Sequence, residues 1–128
     1  MIEIGNEKKF FGLSEAQALL PLIQAITEKH QQELKPIQHR LESMLSNDPR
    51  RKSWESEFSD VVSRWRNKVQ QLGAKVTDLW VVGFDVGEGL LSWKYPELSI
   101  SYFISHSDPQ QRVKLSEYVD VYDPDWAC

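Results

Sequence analysis

Two successive stretches of apolar residues at helical spacing, followed by an abrupt change of period after Gly73, leave few folds open to this chain. Leu19, Ile23, Ile26 and His30 recur at intervals of four, three and four, and Leu34, Ile37, Leu41 and Met44 continue at three, four and three. That is one face of an amphipathic helix, predicted over 13–45. Ser14 and Gln17 have capping-box spacing, and Leu13 stands where it would staple onto Ala18. Pro21 and Pro36 each remove a backbone donor, so a bend is expected near one or both. Ser46-Asn47-Asp48-Pro49 breaks the pattern with turn-forming residues.

A second stripe of Trp54, Phe58, Val61, Trp65, Val69 and Leu72 predicts a helix over 53–72. Ser53 is its expected cap, Glu55 and Glu57 favour its positive end, and Gly73 supplies a left-handed stop. With so short a connection the two helices must run antiparallel.

Beyond Gly73, Val76–Val86, Leu90–Tyr95 and Ser99–Ser105 are rich in β-branched and aromatic residues, separated by Gly87-Glu88-Gly89 and Pro96-Glu97-Leu98. They read as a three-stranded antiparallel β-meander over 76–106. In its last strand Ile100, Tyr102 and Ile104 are expected to face the helices and Phe103 to face outward, as aromatics at contacts with another chain do. Residues 107–128, with Pro109 and Pro124, read as an irregular C-terminal tail wrapping the surface. The predicted fold class is α+β: a long antiparallel helical hairpin packed on a small meander, in a single domain spanning 1–128.

Composition narrows the functional classes. A length of 128 residues with 41% hydrophobic content suits one modest core, to which five Trp, four Tyr and five Phe bring large buried areas. No apolar run is long enough to span a bilayer, the N-terminal residues are too polar for a signal peptide, and Cys128 is the only cysteine. A cytoplasmic setting without a disulfide or membrane contact is therefore expected. Net charge is -4, which argues against general nucleic-acid binding despite the basic groups Arg50-Arg51-Lys52 and Arg64, Arg66, Lys68. These read as solvated or intramolecularly paired positions.

The order of segments resembles the bacterial family known as domain of unknown function 2203. The likeness rests on Phe10 or Phe11, Glu15-Ala16, Leu19-Leu20-Pro21, Phe84-Asp85, Leu91, Trp93, Glu97, Ile100 and Arg112. The chain departs from the family pattern where Ser92 replaces a cysteine, Lys94 an arginine and Pro96 a glycine. Phe103-Ile104 stands in for a Trp-His pair, with His106 two positions late. The resemblance implies an architecture and a location for a site, and no reaction.

Asp85, Trp93, Lys94, Glu97, His106 and Arg112 are the candidate binding residues. In one reading Lys94 and Arg112 hold an anion that a carboxylate helps to orient. In the other, Glu97 and Arg112 form an ion pair that pins the turn to the tail, and Trp93 fills the core. Asp85 beside a Gly-rich turn also fits turn chemistry alone. His30 and His39 read as packed or solvated; no histidine pair has metal-ligand spacing, and neither a metal nor a cofactor is expected. A His106–Ser92–Asp85 triad lacks the Gly-x-Ser-x-Gly setting of a nucleophile elbow. Phe103, Tyr118, Tyr122 and Trp126 are candidate partner contacts; the acidic aromatic segment they belong to would either bind another chain or cover its own sheet edge. Two functional expectations follow. The first is a small interaction or adaptor domain acting on a protein partner or as a homodimer. The alternative is a small anionic-ligand-binding or enzymatic domain built around Glu97 and Arg112.

Overall fold

The computed structural model describes residues 10–122, with side chains described as far as Val119. Helix α1 spans Leu13–Ser43 and α2 spans Arg51–Gln71. Strands β1 (Lys75–Asp78), β2 (Val81–Asp85), β3 (Gly89–Lys94), β4 (Tyr102–Ser105) and β5 (Arg112–Lys114) follow, and α3 (Leu115–Tyr122) closes the order. The fold is α+β with an antiparallel helical hairpin, but the sheet has five strands in the order β1-β2-β3-β4-β5, not three.

Helix α1 starts earlier than its expected cap. Gly12 is the N-cap, and Glu15 does the work assigned to Ser14 and Gln17: its Oε1 accepts the Gly12 N–H at 3.0 Å. Starting there puts Leu13, Ala16, Leu20, Ile23, Thr27, His30, Leu34 and Ile37 on the buried face, at alternating intervals of three and four. Leu19 and Ile26 flank that stripe half-buried, and it runs unbroken past both prolines. His30 fills its place with Nδ1 2.7 Å from the Ile26 carbonyl oxygen, while His39 is exposed.

The second helix also begins before Ser53. Asp48 organises its entry, accepting the Arg50 N–H at 2.8 Å and gripping the same residue's guanidinium at 2.9 Å. Arg51 donates to the Leu41 carbonyl at 3.0 Å, meeting acceptors left over at the end of α1, and pairs with Glu55 at 3.2 Å. Arg64 crosses the hairpin to Glu33 at 2.8 Å. Much of the basic charge read from the sequence is thus consumed inside the fold. Gly73 ends the hairpin at φ 92°.

The run Val76–Val86 is not one strand. It folds back at Leu79-Trp80, with Trp80 at φ 61° in the left-handed region that aromatic residues rarely adopt. Tertiary packing holds it there: Trp80 meets Trp65 edge-to-face with centroids 4.8 Å apart, and it touches both hydrophobic clusters of the molecule.

One sheet face is buried against the helices through Val82, Phe84, Leu91, Trp93 and Phe103. Phe103 is only 1% exposed, so its expected outward direction is reversed. The reason is local: Ile100 is buried but lies in the bend before β4, and pleat alternation restarts at Tyr102. Phe103 therefore points inward, and Tyr102 and Ile104 point away from the helices. Nor is the described part of the C-terminal segment, 107–122, irregular throughout: it forms β5 and α3. β5 pairs with β4 through Phe103↔Val113 and Ile104↔Arg112, covering the edge that a three-stranded meander would expose. Helix α3 then lays Tyr118 against Phe103, centroids 4.6 Å apart, so both expected partner contacts belong to the core. The side chain of Tyr122 and all of Trp126 lie outside the described residues.

Two substitutions test this packing. A Cβ on Gly89 would sit 2.2 Å from the Ile104 carbonyl oxygen and 2.8 Å from the Phe103 ring. Gly89→Ala is expected to cost at least about 2 kcal/mol in urea denaturation, because backbone cannot step aside, whereas Gly83→Ala meets only the flexible Leu90 side chain at 3.2 Å and costs less than about 1 kcal/mol. Thr27→Val strands the buried Trp65 Nε1–H, which now donates to Thr27 Oγ1 at 2.9 Å, and should cost about 1–3 kcal/mol in the same measurement.

Candidate ligand cleft on the open sheet face

Alternation sends Lys75, Gly83, Asp85, Leu90, Ser92, Lys94, Tyr102, Ile104 and Arg112 to the face opposite the helices. Among the described residues no second layer covers that face. Two groups of polar side chains lie on it.

The first surrounds Asp85, which is 1% exposed at the end of β2. Its Oδ1 accepts the Gly87 N–H at 2.9 Å and lies 3.2 Å from His106 Nε2, while Lys75 Nζ approaches Oδ2 at 3.3 Å. One carboxylate thereby ties together β1, the β2–β3 turn and the segment after β4. Burial pushes the Asp85 carboxyl up, but the Gly87 amide, His106 and Lys75 together outweigh it and hold the group below the usual carboxylate range. The turn-chemistry reading of Asp85 holds, with His106 and Lys75 added to it. Ser92 does not join them: it stands opposite Gly83 and Tyr102 and forms no hydrogen bond to Asp85 or His106 among the described residues, so no triad assembles.

The second group lines a cleft of about 340 Å³ formed by Thr77, Asp78, Val81, Ser92, Lys94, Glu97, Tyr102, Ile104 and Arg112. It crosses the sheet from β1 to β5, with Val81, Tyr102 and Ile104 as a half-buried apolar floor. Lys94 contributes its backbone N–H to Glu97 Oε1 at 2.8 Å. Arg112 carries its guanidinium over the Tyr102 ring at 5.8 Å. Among the described residues neither cation has an ion-pair partner, so the expected Glu97–Arg112 pair does not form. Glu97 is occupied otherwise: Oε2 accepts from Ser101 Oγ at 3.1 Å, and its carbonyl accepts from Trp93 Nε1 at 2.7 Å and Gln24 Nε2 at 3.1 Å.

Of the six residues singled out in sequence, Lys94, Glu97 and Arg112 meet in this cleft and Asp85 meets His106 beside the turn. Trp93 is buried on the other face, joined to the cleft only through the Glu97 backbone. A further hollow of about 320 Å³ lies over Trp93 between α1 and residues 95–98, where Gln24 and the Trp93 indole are already committed to carbonyls. Sequence reasoning missed Thr77, Asp78 and Tyr102. Tyr102 was assigned to the wrong face, and the other two were hidden by the unforeseen turn at Trp80. Among the described residues, no three His, Cys, Asp or Glu side chains are grouped to hold a metal ion.

The family model described as "Uncharacterized conserved protein (DUF2203)" matches residues 9–111. The chain belongs to this family. The match takes in the helical hairpin, β1 to β4 and all the cleft residues but Arg112. No significant match was found among curated proteins or among solved structures.

Because the Asp85 carboxyl titrates lower in the folded chain than in the unfolded one, its contribution to stability is complete above the unfolded value of about 3.9 and disappears as pH falls through the folded value. Asp85→Asn should therefore cost about 1–3 kcal/mol at pH 7. It should also flatten the fall in melting temperature below about pH 4, measured by circular dichroism across an acid series.

Proposed function

We propose that this member of the family is a binding domain for a small anionic metabolite, held in the cleft on the open sheet face in a cytoplasmic setting. One observation carries the reading: Lys94 and Arg112 line a single cleft without an ion-pair partner among the described residues, although acidic side chains line it too. Lys94 ends β3 and Arg112 opens β5, two strands across and, because Arg112 is level with Leu90, four residues along, so their backbones stand roughly 16 Å apart and only their long side chains, extended toward each other over Tyr102, reach one anion. Arg112 is oriented by the Tyr102 ring, which leaves its fork of donors available for a carboxylate or phosphate. Ser92, Thr77 and Tyr102 add hydroxyl groups for orientation.

The interaction or adaptor reading loses Phe103 and Tyr118 as exposed anchors, since both are buried in the chain's own core. What still favours it is the uncovered sheet face, on which Val81, Leu90 and Ile104 are half-buried; a homodimer formed there would occlude the cleft. Among the described residues no helix is long and apolar enough to cross a membrane.

Isothermal titration with inorganic phosphate and a panel of small mono- and dicarboxylates tests the proposal. At least one of them should bind, and Lys94→Ala and Arg112→Ala should each weaken it tenfold or more without changing the melting temperature of the free protein by more than a few degrees, since neither side chain holds the fold together. Absence of binding by every anion, or wild-type affinity retained in either variant, overturns the reading.

A further inference from the structure

The cleft has a centre, and the strand register locates it. Ser92 stands opposite Gly83 on β2 and opposite Tyr102 on β4. Val81 and Lys94 lie two residues along the sheet in one direction, and Ile104 two residues along in the other. Apart from Gly83, Ser92 has the shortest side chain of the strands' open face, so a hollow is left above it. Gly83 does not lengthen that hollow. A Cβ there would meet the Leu90 side chain at 3.2 Å, so Leu90 lies across the glycine and closes the β2 side. The remaining walls are largely apolar: Val81, the Tyr102 ring and Ile104 are half-buried, and Lys94 brings its methylene stem.

The charges are distributed unevenly about this hollow. Asp78 is level with Val81 and Lys94, and Glu97 accepts the Lys94 N–H, so both carboxylates stand at the Lys94 end. Arg112 is level with Ile104 at the opposite end and carries its guanidinium over the Tyr102 ring. An anion is repelled from the carboxylate end and is best placed over Tyr102, where Arg112 meets it and Lys94 reaches toward it. Tyr102 and Ser92 are direct cross-strand partners, with Cβ atoms roughly 5 Å apart. The anion position and the apolar hollow are therefore neighbours.

Resting on the anion-binding reading above, we infer that the ligand is a carboxylate borne directly, or through one carbon, by a single compact ring: an aromatic or alicyclic monocarboxylate. The carboxylate lies over Tyr102 and the ring over Ser92, flanked by Val81 and Ile104. In such a molecule the carboxylate and the ring centre are separated by a distance on the order of the spacing between those two positions. Acetate or inorganic phosphate fills the anion position and leaves the apolar walls to water. A straight chain runs on toward Gly83 and meets Leu90.

The test is isothermal titration of the full chain with acetate, benzoate and hexanoate. Benzoate should bind at least about tenfold more tightly than acetate, through burial of the ring, and more tightly than hexanoate despite the longer chain. Ser92→Ile fills the hollow with a side chain suited to a strand and should bring benzoate down to the affinity of acetate. Should that variant lower the melting temperature by more than a few degrees, Ser92→Val makes the same comparison with a smaller side chain. Equal binding of benzoate and acetate, hexanoate binding as tightly as benzoate, or a benzoate preference that survives in the Ser92 variant overturns the ring inference and leaves anion binding standing. Failure of these three ligands while another anion of the panel binds has the same consequence. Failure of the whole panel removes the reading beneath it as well.

Discussion

The indole of Trp65 is where the two halves of this molecule are joined. Its ring nitrogen donates to Thr27 Oγ1, and that hydroxyl in turn donates to the Ile23 carbonyl at 2.7 Å, so a fully buried polar chain fixes α2 against α1. The same ring meets Trp80, from the turn between β1 and β2, edge-to-face. A buried indole without a partner for its N–H would cost about 1–3 kcal/mol, and Thr27 is a β-branched, polar residue at a position where an aliphatic one would have suited the stripe. Its presence is explained by Trp65. The same contact stabilises Trp80 in a backbone conformation that otherwise costs on the order of 1–3 kcal/mol. That conformation makes the tight return between β1 and β2, and it leaves Thr77, Asp78 and Val81 beside the cleft. Helix packing, strand reversal and the near wall of the cleft therefore depend on one aromatic junction.

Much of the architecture was legible because it rests on periodicity. The helical hairpin, its break near Asp48, the stop at Gly73 and the strands around Phe84 and Leu91 all follow from spacing and turn chemistry. Three features were not legible, each for a physical reason. The turn at Leu79-Trp80 carries no glycine, asparagine or proline, since tertiary contact replaces local preference there. The sense of Phe103 depends on where pleating restarts after Ile100, and a bend of unknown length erases that parity. Strand β5 is short and polar, with Arg112 and Lys114 exposed, so it carries no hydrophobic signature of its own; its existence depends on the hydrogen-bonding edge that β4 presents.

The candidate site was half legible for the same reasons. Lys94, Glu97 and Arg112 were found as charged residues among aromatics, but the contact proposed between Glu97 and Arg112 was the wrong one. Glu97 faces inward on its own turn, where the Lys94 amide, Ser101, Gln24 and the Trp93 indole all converge on it. That network ties α1 to the loop between β3 and β4 and gives each carboxylate oxygen one donor. Arg112 is then left to the Tyr102 ring.

The departures from the family pattern fall in a telling place. Ser92 and Lys94, which stand where the resemblance implies a cysteine and an arginine, both project from β3 onto the open face and line the cleft. Trp93 and Leu91, which match the pattern, alternate with them and point into the core. Since neighbouring positions of one strand differ only in the face they serve, the constraint holding Leu91 and Trp93 is packing density, felt by every methylene in a buried layer. The open face is free of that constraint. A compact ammonium in place of a planar guanidinium at position 94 leaves the fold undisturbed, because Lys94 serves the fold through its backbone alone, and under the proposed function it changes how the anion would be gripped.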